Sequence, residues 1–308
     1  MQPAPRVTRH ESAPGFSYTR LEPRGAASAV AAGYWEVRAR RCRAAIEAAF
    51  PDTHVEICFN LGSTGREVVD DRFAGRPGPR AAWVSAPRVR TTLIAKETAD
   101  SDIVGIRLQP TAARWLLGVP IRELGGTLVD LDLLWGSRTE EIRCQLAGAR
   151  DTMARMAIVE RELLDRAAKA RQESWVVRRL CEAVESRAAR SVGELAEQMG
   201  LTHKRVIALF DEHVGHKPKL YQRLHRLRRV LAAAATDGPV PWARIAIQEG
   251  CCDQAHLIHE FRSLTGYTPG DYAARRMRAG DGYLPYRLAP GFQAPGTADP
   301  AALTGSSH

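Results

Sequence analysis

The strongest constraint on this chain is an internal repeat. The stretch Pro241 to Tyr272, PWARIAIQEGCCDQAHLIHEFRSLTGYTPGDY, restates a pattern met about fifty residues earlier. Ala246 and Gly250 follow Ala196 and Gly200 by 50 positions, whereas Phe261, Gly266, Pro269 and Tyr272 follow Phe210, Gly215, Pro218 and Tyr221 by 51. One inserted residue separates two copies of a helix-turn-helix unit.

Each position of the repeat has a physical job. In the first copy Leu195, Ala196 and Met199 form an apolar face, Gly200 supplies the positive φ that ends a helix, and Thr202 caps the next one. Val206, Leu209, Phe210 and His213 then fall at i, i+3, i+4 and i+7. They give the second helix one buried stripe and leave Lys204, Arg205, Ile207, Ala208 and Asp211 on its other faces. In the second copy Gly250 turns the chain and Asp253 is the N-cap. Leu257, Phe261 and Leu264 line the buried side, with Gln254, Ala255, His256, Ile258, His259 and Arg262 toward the surface.

With its G-x-x-D-Q, F-R and G-x-x-P-x-x-Y elements, the region from about 173 to 278 resembles the DNA-binding module of AraC-type transcription regulators. The resemblance implies two helix-turn-helix units joined by one long helix, here GHKPKLYQRLHRLRRVLAAA at 215 to 234, with two recognition helices in successive major-groove segments. The DNA-binding residues it points to are Lys204, Arg205, Ile207 and Ala208 in the first unit. In the second they are Gln254, Ala255, His256, Ile258, His259 and Arg262. The chain departs from the family where Cys251 replaces a large apolar residue, and where Ile207-Ala208 and Ile258-His259 replace polar pairs. Double-stranded DNA is the expected partner, with a small-molecule effector, RNA polymerase and a second copy of the chain as further candidates.

Charge agrees with a polyanionic partner. The chain carries +9, and residues 201 to 230 hold eight Lys and Arg against two acids, or +6. Its six cysteines show no C-x-x-C pair, which argues against structural zinc and fits reduced thiols in the cytoplasm. Neither a secretion leader nor a membrane-spanning run is expected.

The N-terminal half reads differently. Residues 1 to 30 lack a period and are expected to be a mobile arm, and Tyr34 to Phe50 to end as a short helix before Pro51. Strand-like stretches follow at His54 to Leu61, Ala81 to Ser85, Arg88 to Ala95 and Asp102 to Leu108. In the last, Ile103, Gly105 and Arg107 alternate with Val104, Ile106 and Leu108. Three short helices are expected over Pro110 to Leu117, Pro120 to Leu124 and Asp130 to Trp135. Residues 103 to 136, with EICFNLG at 56 to 62, resemble a class of N-terminal domains fused to AraC-type modules, which implies a cupin-like β-structure.

The expected fold class is therefore α+β: a mostly antiparallel β domain with helices over 31 to 140, a helical linker over 141 to 172, an all-α tandem helix-turn-helix domain over 173 to 278, and a disordered tail from 279 to 308. Within the linker Ile142, Leu146, Ala149, Met153, Met156, Leu163 and Ala167 keep a near-heptad spacing. That pattern suits either a dimer seam or a helix pair packed on its own domain, and the break at Gly148 to Thr152 favours the latter.

A catalyst finds little support. His54 is the one histidine between 30 and 170, and no nucleophile elbow or phosphate-binding glycine loop is present, so neither cofactor nor metal is expected. A sensor or dimerisation role ranks first for this half, with Trp83, Trp115, Trp135 and Tyr34 as candidate walls of an effector pocket or, more simply, core. Two rival readings of the whole chain are a DNA-alkylation repair enzyme carrying an AraC-type module and an architectural DNA binder without sequence preference.

Overall fold

A computed structural model of the chain describes residues 7–13, 16–39, 45–62, 66–69, 81–96, 100–125, 128–169, 175–186, 191–234, 239–275 and 286–287. Its N-terminal half is built on an antiparallel sheet. The strands are β1 (Val7–Ala13), β2 (Phe16–Leu21), β3 (Ala31–Ala39), β4 (Ala45–Ala49), β5 (Glu56–Asn60), β6 (Arg66–Val69), β7 (Ala82–Ser85), β8 (Thr92–Lys96), β9 (Ser101–Leu108), β10 (Leu128–Asp130) and β11 (Tyr286–Arg287). Seven of them form one sheet in the order β1-β2-β3-β9-β5-β7-β10, and β11-β4-β8-β6 form a second of four.

Two expectations are corrected here. Val7–Ala13 and Phe16–Leu21 are paired strands, not an arm, and Tyr34 to Phe50 holds strands where a helix end was expected. For β3 the reason is burial on both faces. Along β3, Trp35, Val37 and Ala39 join Tyr18, Cys58, Trp83 and Ile103 in one apolar cluster, while Tyr34 on the opposite face joins the main core. A strand buried on both sides has no polar-apolar alternation to read. The tail expected from 279 onward lies outside the described residues except for Tyr286–Arg287, which pair with β4.

Gly105 shows how tightly the centre is filled. It lies opposite Trp35 in the β3–β9 register, and a Cβ there would stand 1.9 Å from the indole ring. Only a residue without a side chain leaves the ring its place.

Helices cover the other face of the large sheet. They are α1 (Pro110–Leu117), α2 (Asp132–Trp135), α3 (Arg138–Ala147) and α4 (Thr152–Lys169), with a 3-10 turn at Ile121–Leu124. Ile142, Leu146, Met156 and Leu163 are buried against Ile57, Phe59, Val104 and Ile106, so most of the near-heptad row is spent on the domain's own core, while Met153 stays exposed. Asp151 accepts from Ala154 N at 2.8 Å where α4 begins. Arg155 fastens α4 to the sheet: its guanidinium donates to Glu36, to Asp102 and to the Leu146 carbonyl.

The C-terminal half is helical: α5 (Trp175–Glu185), α6 (Val192–Gln198), α7 (His203–His213), α8 (Pro218–Ala233), α9 (Trp242–Gln248), α10 (Gln254–Thr265) and α11 (Pro269–Arg275). On α5 the buried stripe is Val177, Leu180, Cys181 and Val184, whereas Trp175 is 63% exposed. Val177, Leu180, Cys181 and Val184 follow a helical period that Trp175 breaks.

Candidate nucleic-acid interface

Both repeat units close as their residues dictate. Gly200 and Gly250 take φ of +62° and +74° at the turns, Thr202 accepts from Arg205 N at 3.2 Å, and Asp253 accepts from His256 N at 2.7 Å. Each cap satisfies an amide that the first helical turn would leave without a partner. Val206, Leu209 and Phe210 are buried in the first unit, and Leu257, Phe261 and Leu264 in the second.

Helix α8 belongs to both units. Tyr221 at its start lies in the first core, edge-on to Phe210 with 5.4 Å between ring centroids, whereas Leu224, Leu227, Val230 and Leu231 lie in the second core. One continuous helix with its two ends in different cores holds the units at a set separation.

The ten candidate DNA-contacting residues all stay off the buried stripes. Lys204, Arg205 and Ala208 on α7 are exposed, as are Gln254, Ala255, His256, His259 and Arg262 on α10, while Ile207 and Ile258 are half-buried. Repeat mates match throughout: Lys204 with Ala255, Arg205 with His256, Ile207 with Ile258 and Ala208 with His259 share the same degree of exposure. The His256 ring accepts from Cys252 N through Nδ1 at 3.3 Å, so in its neutral form the proton sits on Nε2.

The basic stretch divides into two sets. Lys204, Arg205, Lys217, Lys219 and Arg228 are exposed, whereas Arg223 and Arg226 pair with Glu260 and Arg229 with Glu249, at 2.9, 2.7 and 2.8 Å. Net charge read along the chain could not reveal this, because the acids lie 20 to 37 residues away.

Sequence reasoning also missed the joint between the two halves, which among the described residues touches both repeat units and α8. Arg114 on α1 pairs with Glu212 on α7 at 2.5 Å, beside Ile121 and Gly215. Phe50 is edge-on to Tyr267 and Tyr272 with centroids 6.0 and 5.7 Å away, and Thr91 Oγ1 donates to the Thr265 carbonyl at 2.8 Å. Thr53 Oγ1 lies 3.4 Å from His225 Nε2 on α8.

Behind Thr53 sits a buried polar chain. Arg107 donates to Asp52, and Asp52 Oδ1 lies 2.8 Å from His54 Nδ1. Burial alone would raise the Asp52 pKa, yet Arg107 and His54 hold it well below the usual carboxylate range. Burial pushes His54 down to about 4 against the pull of Asp52, and His225 down to about 3, so both rings are neutral near pH 7. Tyr221 donates to Glu185 at 2.6 Å next to the His225 ring.

The candidate effector walls are divided between two apolar clusters. Trp83 packs with Trp35 and Tyr18, while Tyr34 and Trp135 belong to the helix-covered core and Trp115 packs against it. Nor are the Cys144, Cys181 and Cys251 thiols primed for chemistry. Burial raises the Cys181 and Cys251 thiols, and the hydrogen bond to Glu140 raises that of Cys144, which opposes thiolate formation. Among the described residues no group of three or more His, Cys, Asp or Glu is placed to hold a metal ion, and no helix is long and apolar enough to cross a membrane.

Comparison with known proteins locates the signal in the same region. A family model described as a helix-turn-helix domain matches residues 195–275. No curated protein matches the chain. Similar solved structures include ToxT from Vibrio cholerae, at 12% identity over 78% of this chain and 97% of that one, with a TM-score of 0.46. ToxT from Vibrio cholerae O395 is similar at 10% identity over 78% and 95%, with a TM-score of 0.43. KdgF from Halomonas sp. is similar at 17% identity over 33% of this chain and 86% of that one, with a TM-score of 0.23. From the family match, the repeat, the caps and the shared joining helix, the C-terminal part of this chain is a DNA-binding tandem helix-turn-helix domain of the AraC type.

Proposed function

We propose that the chain is a sequence-specific transcription regulator in the cytoplasm whose helical half reads duplex DNA and whose β domain, in response to an effector or a second copy, controls how the two reading helices are held. The observation that carries the first part is the matched exposure of α7 and α10, joined by one helix that enters both cores. Two such helices enter major-groove segments about 34 Å apart, one turn of DNA. Lys204 and Arg205 are the long donors at the start of α7, suited to guanine and phosphate. His256 offers Nε2–H, His259 and Gln254 add polar contacts, and Ile207 and Ile258 suit thymine methyl groups. The DNA-binding domain is proposed to span 173 to 278.

The second part rests on the joint between the two halves, which contacts the first unit, the second unit and the helix between them.

Selection of binding sites from random duplexes by the full chain tests the proposal. The expected result is two preferred blocks one helical turn apart. Arg205→Ala or Lys204→Ala should lose roughly 1 to 3 kcal/mol and relax preference in one block, and His259→Ala should do so in the other. Equal binding to every sequence would make the protein an architectural binder, and no binding at low salt would refute the proposal outright.

A further inference from the structure

The three inward-turned arginines of α8 have an unequal relation to the two reading helices. Arg223 Nε donates to Glu260 Oε1 at 2.9 Å and Arg226 Nη1 to Oε2 at 2.7 Å, so both oxygens of one carboxylate are held by guanidiniums three residues apart. Arg223 Nη2 also donates to Ser263 Oγ at 2.9 Å, and that hydroxyl donates to the Glu260 carbonyl at 2.8 Å. Glu260 is 8% exposed and stands beside His259 on α10. Arg229 Nε closes the set on Glu249, at the end of α9. The repeat mates of Glu260 and Glu249 are Leu209 and Met199, so the first unit has no counterpart of this clamp.

The difference matters because apolar burial is non-directional. Leu257, Phe261 and Leu264 hold α10 down, but on their own they leave it free to roll slightly on the core. Two charge-assisted hydrogen bonds to one carboxylate are strong and directional, and they set the helix azimuth. At a side-chain radius of about 5 Å, a roll of about 10° moves an outward tip by about 1 Å. That displacement is enough to break a base contact whose useful distance range spans about half an ångström.

We propose that Glu260, held by Arg223 and Arg226, is the positioning residue of the second reading helix: it fixes base preference in the second half of the site without touching DNA. This rests on the sequence-reading role proposed above. The same geometry implies that Arg223 and Arg226 make no phosphate contact.

The test uses the full chain with Glu260→Gln, and Arg226→Ala as an independent way to open the clamp from α8. Expected is a loss of about tenfold in affinity for the selected site, comparable to one lost hydrogen bond to a charged group. Preference should relax only in the block read by α10, and the salt dependence of binding in Arg226→Ala should keep its slope. Amide hydrogen exchange without DNA should speed up along α10 and remain unchanged along α7. Equal relaxation in both blocks, or a salt slope lowered by about one as for a lost phosphate contact, would overturn the proposal. So would unchanged α10 exchange in Glu260→Gln, a result that stands whether or not the protein proves sequence-selective. Absence of any preferred sequence in the unaltered chain would instead remove the reading role itself.

Discussion

Gly215 and Gly266 occupy the same place in the two repeat units, at φ of +77° and +79°, yet they have different neighbours. A Cβ on Gly266 meets nothing within 4 Å, whereas one on Gly215 would stand 2.7 Å from Ile121 Cγ2, a methyl of the β domain. Gly→Ala at either position carries the left-handed backbone cost of about 1 to 2 kcal/mol. At Gly215 it also forces an overlap with a side chain that is 2% exposed and has no room to retreat, which adds about 1 to 3 kcal/mol. Urea unfolding of the full chain should therefore show Gly215→Ala costing more than Gly266→Ala by that second amount. Adding Ile121→Ala should remove the excess at Gly215 and change nothing at Gly266, giving a clear coupling energy in a double-mutant cycle. Equal costs for the two glycine variants would refute the claim that the β domain packs against the end of α7.

Two further outcomes test the joint. Phe50→Ala, which empties a site ringed by Tyr267 and Tyr272, should cost about 3 kcal/mol or more and separate the unfolding of the two halves when followed by fluorescence and circular dichroism; a cost under about 1 kcal/mol would mean the site is not buried in solution. Because His54 and His225 have folded pKa values of about 4 and 3, below the unfolded value of about 6.5, the unfolded chain binds more protons in that window. Stability should thus fall as pH drops from about 6.5 toward 4, by a few kcal/mol in all, while the Asp52 contribution is retained until more acid pH because its folded pKa is lowered. His225→Gln should flatten part of that slope, and a chain equally stable at pH 6.5 and 4.5 would contradict the burial of these rings.

The repeat was legible because its determinants are local. Turn glycines, cap residues and an i, i+3, i+4 stripe act within a few residues of one another, so Gly200, Thr202, Phe210 and their mates announce two helix-turn-helix units and their outward faces without any tertiary information. The near-heptad row and its break at Gly148 to Thr152 were legible for the same reason, as was the alternation along β9 around Gly105. What the tertiary structure alone decided involves partners distant in sequence. The doubly buried β3 carries no readable period, and it becomes a strand by pairing with residues up to 77 positions away, as Ala31 does with Leu108. Arg223 and Arg226 count toward the charge of a basic stretch until the fold brings Glu260 to them, and Phe50 looks like the end of a helix until Tyr267 and Tyr272 close over it. Local propensity records what a residue prefers within one turn or one strand; where a charge or an aromatic ring is spent depends on which surfaces collapse together, and that is a property of the whole packed chain.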